Sequence, residues 1–287
     1  MECRRCLEPR TILLHITIAV TIAATGLLCA AIMTDHWDEV TWDKHRVSSL
    51  ASSNFSDYEV SMSWYMNDKV SRIALLEPLQ RSKRFQEVVT LFLVPVHGGI
   101  WTLCLALEDE EKMNLQNIGF PRTQCVNYLT PENERMDWRE DRTDWQHRMQ
   151  NLSMSCSMVC LIILGASALV GAFGIAKHQI SAVLVTGVMY LLAGTFALFT
   201  LMIIHYKRKS IISPIDCTSG GRDGAIGIGP AKLTSKLILH YLPGRSYISG
   251  WSLDLGWAAL GMCILTASLW ILLARVMRFT PFTSLIT

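Results

Sequence analysis

Charged residues are scarce in this chain of 287 residues: Asp, Glu, Lys and Arg make up 17% of it, whereas a soluble domain averages about 25%. The shortage is uneven, because residues 34–149 have an ordinary soluble composition and long apolar runs elsewhere carry almost no charge. This pattern excludes a cytosolic enzyme with one compact core and a disordered protein. A net charge of +2, without a clustered basic helix, indicates that no nucleic acid is bound.

Motifs for catalysis and cofactor binding are also missing. The glycines at 220–221 and 224–229 are expected to lie in a loop, without the strand and the helix that a phosphate-binding motif needs. No spacing of His and Cys matches a metal site. We therefore expect no catalytic residue, no metal, no cofactor and no small-molecule substrate, so the chain is predicted not to be an enzyme.

Four apolar runs are each long enough to cross a membrane, because about 20 residues rising 1.5 Å each cover a hydrocarbon core of about 30 Å. The first run resembles a signal peptide. However, its 22 apolar residues exceed the usual 7–15, and no small-residue cleavage site follows it before Asp35. We interpret it as a retained helix. The predicted spans are residues 12–33, 152–176, 180–206 and 251–274.

The connections between the spans predict a compact bundle. Only residues 177–179 separate the second and third spans, which requires a tight antiparallel hairpin. Small residues in the spans would let helix backbones approach closely; they are Gly165, Ala166, Ser167, Ala168, Gly171, Ala172, Gly174, Ala193 and Gly194. We expect a left-handed four-helix membrane bundle. Its other segments are a cytoplasmic N-terminus 1–11, a large extracellular loop 34–151, a cytoplasmic turn 177–179, a second extracellular loop 207–250 and a short cytoplasmic C-terminus 275–287.

Charge alone does not decide which side of the membrane each loop faces. Lys and Arg residues normally mark the cytoplasmic side, and they are present at the N-terminus, but the segment 207–250 on the opposite side carries seven more. Two features favour large loops that face outside. Asn54 begins a glycosylation sequon, and Cys104 and Cys125 can pair only in an oxidising compartment. Asn151 begins a second sequon at the membrane edge, where a modifying enzyme has little room. We expect a glycan on Asn54 and none on Asn151.

The large loop is long enough to fold. Residues 37–42 alternate in polarity and predict a short strand, residues 85–96 predict a buried strand, and residues 100–107 predict a third. The glycines within 97–99 indicate a turn between the last two strands. Residues 136–150 predict a helix that leads into the second span. We infer a small extracellular antiparallel sheet that sits on the bundle.

A set of short motifs follows the spans in a fixed order. Thr34-Asp35-His36-Trp37 ends the first span, Gly99-Ile100-Trp101 follows, Cys104 and Cys125 come next, and Gly250-Trp251-Ser252 opens the fourth span. This order resembles the superfamily of claudins, peripheral myelin protein and calcium-channel gamma subunits. Its hallmark is Trp, then Gly-Leu-Trp, two residues, Cys, and a later Cys. The first and last motifs look most like the gamma-subunit branch, which includes stargazin.

The resemblance implies a claudin-like fold and a set of structural residues. These are Trp37, Gly99, Ile100 in the place of the usual Leu, Trp101, Cys104 and Cys125. The two cysteines are the only ones in the large loop, and the resemblance implies a disulfide between them. Two free thiols are the alternative. A bridge across a loop of about 20 residues would stabilise the fold by roughly 3 kcal/mol.

The resemblance also implies a function. It points to an auxiliary subunit that binds the pore-forming subunit of an ion channel in the lipid bilayer of the plasma membrane and modulates its gating or trafficking. The expected partner is a voltage-dependent calcium channel or an ionotropic glutamate receptor. One alternative is a claudin-like junction protein. Another is a regulator of calcium stores in the endoplasmic reticulum membrane, because the long spacing between Cys104 and Cys125 is similar to that of a neighbouring four-helix family.

Four further positions are candidates for a modification, a partner contact or processing, and each has a plainer alternative. Cys3 and Cys6 precede the first span and are either palmitoylated or unmodified thiols. Asp254 lies near the start of the fourth span and either contacts a partner's helix or reaches interfacial water. Residues 81–84 are either a dibasic processing site or a plain basic turn. Cys217 is either free or paired between chains.

Overall fold

The computed structural model describes residues 9–51, 58–78, 85–121, 125–129, 144–210 and 224–279. These residues fall into two compact units. The helical unit lies within Met1–Thr34, Met149–Tyr206 and Ser252–Thr287, and the β-rich unit lies within Asp35–Arg148 and Lys207–Trp251. Each unit is held together mainly by contacts among its own residues.

Seven α-helices, a short 3-10 helix (Leu242–Gly244) and nine strands are assigned among the described residues. The helices are α1 (Pro9–Met33), α2 (Lys44–Ala51), α3 (Asp109–Asn117), α4 (Asp144–Ala176), α5 (Ile180–Ser210), α6 (Ala231–Tyr241) and α7 (Trp251–Phe279). The strands are β1 (Asp38–Trp42), β2 (Glu59–Tyr65), β3 (Val70–Pro78), β4 (Phe85–Leu93), β5 (Val96–Gly98), β6 (Thr102–Leu105), β7 (Val126–Asn127), β8 (Ala225–Ile228) and β9 (Arg245–Ser249).

Helices α1, α4, α5 and α7 are each long and apolar enough to cross a membrane. Together with small antiparallel sheets, they fit a four-helix membrane protein, and the sequence prediction is confirmed at that level. All four long helices extend past their predicted apolar runs. Helix α1 begins at Pro9 rather than 12, and α4 begins at Asp144 rather than 152. Helix α5 continues to Ser210 rather than 206, and α7 continues to Phe279 rather than 274. Polar residues next to a span continue its helix, because the backbone hydrogen bonds do not depend on side-chain polarity.

Small residues bring some of the long helices together, as predicted, but not along the whole stripe. A Cβ added to Gly171 of α4 would meet Thr186 of α5 at 3.1 Å and Trp270 of α7 at 3.3 Å. Gly165 has no atom within 4 Å of such a Cβ, and Ala168 is exposed. Some of the predicted small residues therefore lie at close helix contacts, and others face away from the neighbouring helices.

The first of the two sheets has five antiparallel strands in the order β7-β6-β5-β1-β9. Strand β1 lies between β5, where Glu39 pairs with His97, and β9, where Val40 pairs with Tyr247. Strand β9 comes from the segment between the third and fourth long helices, whereas the other four strands come from the first large segment. Both connecting segments thus build one sheet.

The second sheet has four antiparallel strands in the order β2-β3-β4-β8. Its centre is apolar: Leu75, Leu91 and Leu93 are fully buried together with Leu237 and Tyr241 of α6. At 25 cal/mol per Å², each fully buried Leu contributes on the order of 2 kcal/mol of hydrophobic free energy. The apolar core around this sheet is of the kind found in water-soluble domains, as the ordinary charge content of the segment predicts.

Three predictions about the loops need correction. The structure has two sheets rather than one, and residues 85–93 belong to the second. The turn predicted at residues 97–99 is wrong, because His97 and Gly98 pair with β1 and the turn falls at residues 99–101. The segment 224–229 is not a loop: β8 occupies Ala225–Ile228, and α6 follows. Pairing of β8 with β4 determines this conformation, and the local sequence does not show it.

Candidate functional site

Trp37 stands at the entrance to β1 and is held from both sides by backbone hydrogen bonds. Its N–H donates to the Gly98 carbonyl at 2.9 Å, and its own carbonyl accepts from Gly250 N–H at 3.0 Å. The indole is 3% exposed. A Cβ at Gly250 would collide with the His36 carbonyl, so the close approach of the two strands requires glycine there. Trp37 is thus a fixed structural residue of the five-stranded sheet.

Gly99, Ile100 and Trp101 form the turn that joins β5 to β6. Gly99 N–H donates to the Thr102 carbonyl at 2.8 Å, and the Trp101 carbonyl accepts from Tyr128 N–H at 2.8 Å. Ile100 is fully buried. An apolar side chain suffices at this buried position, which explains why Ile in place of the Leu of the motif keeps the turn intact.

A disulfide joins Cys104 and Cys125, which are 21 positions apart. Cys104 lies in β6 directly opposite His97 of β5, and Cys125 immediately precedes β7. The bridge therefore attaches the short edge strand β7, which has only two residues, to the body of the sheet. All six residues of the predicted motif belong to this five-stranded sheet or to its turns.

Asp35, His36 and His97 form a cluster at the same sheet. Asp35 Oδ1 lies 2.8 Å from His36 Nδ1, and Asp35 Oδ2 lies 3.4 Å from His97 Nε2. The two imidazole rings stack with their centroids 4.5 Å apart. One ligand atom from each residue lies within 4.8 Å of the other two. A carboxylate and two imidazoles thus lie within reach of one another.

Electrostatics in the cluster favour a charged carboxylate beside a neutral ring. Burial raises the pKa of Asp35, but the hydrogen bond with His36 and the charge of His97 outweigh it, and the pKa is lowered overall. Burial lowers the pKa of His97, and the neighbouring Asp35 carboxylate offsets this only in part. At neutral pH Asp35 is therefore ionised, and the His97 imidazole is unprotonated with a lone pair available.

Sequence reasoning did not find this cluster. Asp35 and His36 are adjacent, but His97 lies about 60 positions further along the chain, and only the pairing of β1 with β5 brings it close. No fixed spacing signals such a set. The expectation that the chain has no metal site stays a prediction, and this cluster is the place at which it can be tested.

The helical unit holds a second polar arrangement that the sequence did not reveal. Trp270 Nε1 donates to Thr21 Oγ1 at 2.9 Å, and Thr25 Oγ1 lies 2.8 Å from the Tyr190 hydroxyl. These two hydrogen bonds connect α1 with α7 and with α5. They satisfy polar groups that lipid cannot, so their role is structural.

The remaining predicted residues are placed as follows. Asn151 is exposed on α4, whereas Ser153 of its sequon is buried. Asp254 is exposed in the first turn of α7. Other candidates lie outside the described residues; they are Cys3, Cys6, Asn54, the basic stretch 81–84 and Cys217. The predictions of palmitoylation, glycosylation and processing at these positions therefore stay predictions.

A search of protein-family models finds no match to this chain, and a search of curated proteins finds no match either. The resemblance to the claudin and gamma-subunit superfamily therefore depends on the motif residues themselves. Trp37, the turn at 99–101 and the cysteine pair carry it.

Proposed function

We propose that this chain is an auxiliary, gamma-type subunit that binds the pore-forming subunit of an ion channel in the plasma membrane and modulates its gating or trafficking. One observation carries the proposal. The residues of the gamma-subunit-like motif span almost 90 positions, yet Trp37, the turn at 99–101 and the Cys104–Cys125 disulfide belong to a single five-stranded sheet. Because the motif residues of the superfamily lie together in one structural element of this chain, they support a fold shared by the chain and the superfamily.

The physical mechanism needs no catalytic residue. An auxiliary subunit changes gating when it binds two states of the channel with different affinities. The long helices offer wide apolar surfaces for such contacts, since Ile22, Ile162 and Leu169 are each more than 60% exposed. We propose that these faces contact lipid or the channel's membrane helices and that the β-rich unit contacts its extracellular part, in a claudin-like arrangement with a left-handed bundle.

The test is reconstitution with a defined channel. The tagged chain is co-expressed with the pore-forming subunit of a voltage-dependent calcium channel and, separately, with an ionotropic glutamate receptor. We expect one of the two to co-purify in mild detergent at a fixed ratio. We also expect whole-cell currents with a shifted activation voltage, a changed decay rate or a changed amplitude. If neither pore co-purifies and no current changes while the chain is at the cell surface, the proposal is wrong.

Matched glycosylation variants locate the chain in that experiment. Asn54→Gln removes the expected glycan and should increase electrophoretic mobility, whereas Asn151→Gln should leave it unchanged. A mature glycan resistant to high-mannose-specific endoglycosidase supports the plasma membrane. A glycan that stays immature, without any channel partner, favours the calcium-store regulator of the endoplasmic reticulum. Recovery of the chain with copies of itself at cell contacts favours the claudin-like junction protein.

A further inference from the structure

We propose that Asp35, His36 and His97 bind a divalent metal ion such as Zn²⁺. The site belongs to the β-rich unit and uses one carboxylate and two imidazole rings. It is independent of the proposed channel partner, because it depends only on residues that the fold of this unit brings together.

The distances within the cluster suit a tetrahedral ion. Zinc binds imidazole nitrogen and carboxylate oxygen at about 2.0–2.2 Å, which places neighbouring ligand atoms of a tetrahedron about 3.4 Å apart. Asp35 Oδ2 and His97 Nε2 are 3.4 Å apart, and Asp35 Oδ1 and His36 Nδ1 are 2.8 Å apart. Small side-chain rotations are enough to direct all three ligand atoms at one ion.

The backbone fixes the positions of the ligands in advance. His97 lies in β5, paired with Glu39 of β1 and with Cys104 of β6. Asp35 and His36 directly precede Trp37, whose N–H and carbonyl are both held by hydrogen bonds to neighbouring chain segments. Because both sides of the cluster are anchored, little conformational entropy remains to be lost when an ion binds.

Aromatic contacts and charge add to this arrangement. The His36 ring stacks on His97 and lies 5.8 Å from the Trp251 ring, which limits its rotation. The Asp35 carboxylate lies at the centre of the cluster, and the Glu39 carboxylate is close enough to His97 to act on it electrostatically. Two carboxylates beside the imidazole rings attract a cation.

The ligand types select the metal. Imidazole nitrogen favours zinc, copper, iron and nickel over calcium and magnesium, which prefer oxygen alone. Two imidazoles and one carboxylate leave a fourth tetrahedral position. Because His36 is exposed, that position is open to water or to a ligand atom from another protein.

The probe is Zn²⁺ alone, added to the purified full-length chain in detergent and measured by competition with a chromophoric chelator. We expect one equivalent per chain with a Kd in the micromolar range or tighter. Co²⁺ should give the strong visible absorption of a tetrahedral site. Asp35→Asn and His97→Ala should each weaken Zn²⁺ binding by at least about tenfold, the loss that even a second-sphere change produces in metal sites.

His45→Ala is the matched control, because His45 is an exposed histidine of the same unit on α2. It should leave the Zn²⁺ affinity unchanged. Each variant is checked for an intact Cys104–Cys125 disulfide and an unchanged elution volume, so that lost binding is not lost folding. Zn²⁺ should also raise the Tm of the native chain and not that of His97→Ala. Equal Zn²⁺ binding by the native chain and the His97→Ala variant would overturn the proposal.

Discussion

The β-rich unit keeps its large apolar side chains inside, whereas the helical unit also exposes many of them and buries hydroxyl groups between its helices. In the β-rich unit the core is apolar, with Leu91 and Leu237 fully shielded from solvent. In the helical unit Leu169 is 76% exposed, whereas Thr17 and Thr266 are completely buried. The first pattern is produced by water, which drives apolar groups inward. The second fits an apolar solvent, in which hydrogen bonds and close packing replace the hydrophobic effect between helices.

The rule that apolar side chains are buried and polar ones exposed therefore describes the β-rich unit but not the helical unit. A large-to-small change at an apolar residue should destabilise the β-rich unit and have little effect at the lipid-facing surface of the helices. Removal of a hydroxyl should matter inside the helical unit.

Leu91→Ala should cause the largest loss. Leu91 is fully buried in β4, between Ile73 of β3 and Gly227 of β8. Truncation of a buried Leu costs about 2–5 kcal/mol, because transfer free energy is lost and a cavity remains. Thermal unfolding of the full chain in detergent, followed by tryptophan fluorescence, should show a lower Tm. Leu169→Ala on α4 is the control and should change stability by less than about 0.5 kcal/mol. Equal losses in the two variants would contradict the comparison.

Loss of the disulfide should be the next largest effect. The double variant Cys104→Ser, Cys125→Ser removes a constraint across 21 positions, for which the chain-entropy estimate is about 3 kcal/mol. Limited proteolysis should then cleave the β-rich unit faster, while the long helices stay protected. Cys156→Ser on α4, which removes a cysteine outside this bridge, should leave the cleavage rate unchanged. Rapid cleavage in that control would show that the effect is not specific to the bridge.

A smaller effect is expected from the hydrogen bond between α1 and α7. Thr21→Val keeps the side-chain volume but removes the acceptor of Trp270 Nε1. Such bonds between membrane helices contribute about 0.6 kcal/mol on average and up to about 1.7 kcal/mol, so we expect a loss of about 1 kcal/mol in thermal unfolding in detergent.

Two further variants isolate that bond. In the Trp270→Phe background, Thr21→Val should cost little more, because the bond is already absent. Ser268→Ala on α7 should be nearly neutral, because its exposed hydroxyl bonds to the Ile264 carbonyl of its own helix. Additive losses in the double variant would contradict a direct bond.

The smallest effect concerns an ion pair of the β-rich unit. Lys69 Nζ lies 2.7 Å from Glu111 Oε1, and this hydrogen bond lowers the pKa of Glu111 below its ordinary value of 4.5. The stabilisation is therefore complete above pH 4.5 and is lost as the pH falls through the lowered folded value. The pKa of Lys69 is raised above 10.5 by the same bond, so its share is lost only in strong base.

Lys69→Met should accordingly lower the Tm slightly at neutral pH, and the difference from the native chain should shrink as the pH falls below 4.5 and through the lowered pKa of Glu111. Thermal unfolding across this range measures it. Lys232→Met, a change at an exposed lysine of α6, should show no such pH-dependent difference. A difference that grows in acid would contradict the assigned sign.

Long and strongly patterned elements were predictable from the sequence. The four long helices follow from uninterrupted apolar runs, and β1 follows from the alternation at residues 37–42. In contrast, β8 and β9 have only four and five residues. They become strands because they pair with β4 and β1, and no local pattern carries that information. The hairpin of β2 and β3 was missed despite the alternation in β2. Its turn uses positive φ at Met66, Asn67 and Asp68 without any glycine to signal it.

The candidate site was predictable in part, for the same reason. Trp37, the turn at 99–101 and the cysteine pair were found from a recognisable order of letters. The proximity of His97 to Asp35 was not, because it depends on the register between β1 and β5. A one-residue change in that register would direct His97 to the other face of the sheet. A sequence pattern shows which residues carry chemistry, but strand register decides which of them meet.

The pairing of β1 with β9 has a consequence for biosynthesis. Asp38 and Ser249 are register partners more than 200 positions apart. At about 5–20 residues per second, the ribosome needs roughly 10–40 s to produce β9 after β1 has emerged. Throughout that interval the edge of β1 that later pairs with β9 lacks its partner strand. Completion of the five-stranded sheet therefore requires that the first three long helices have already been made.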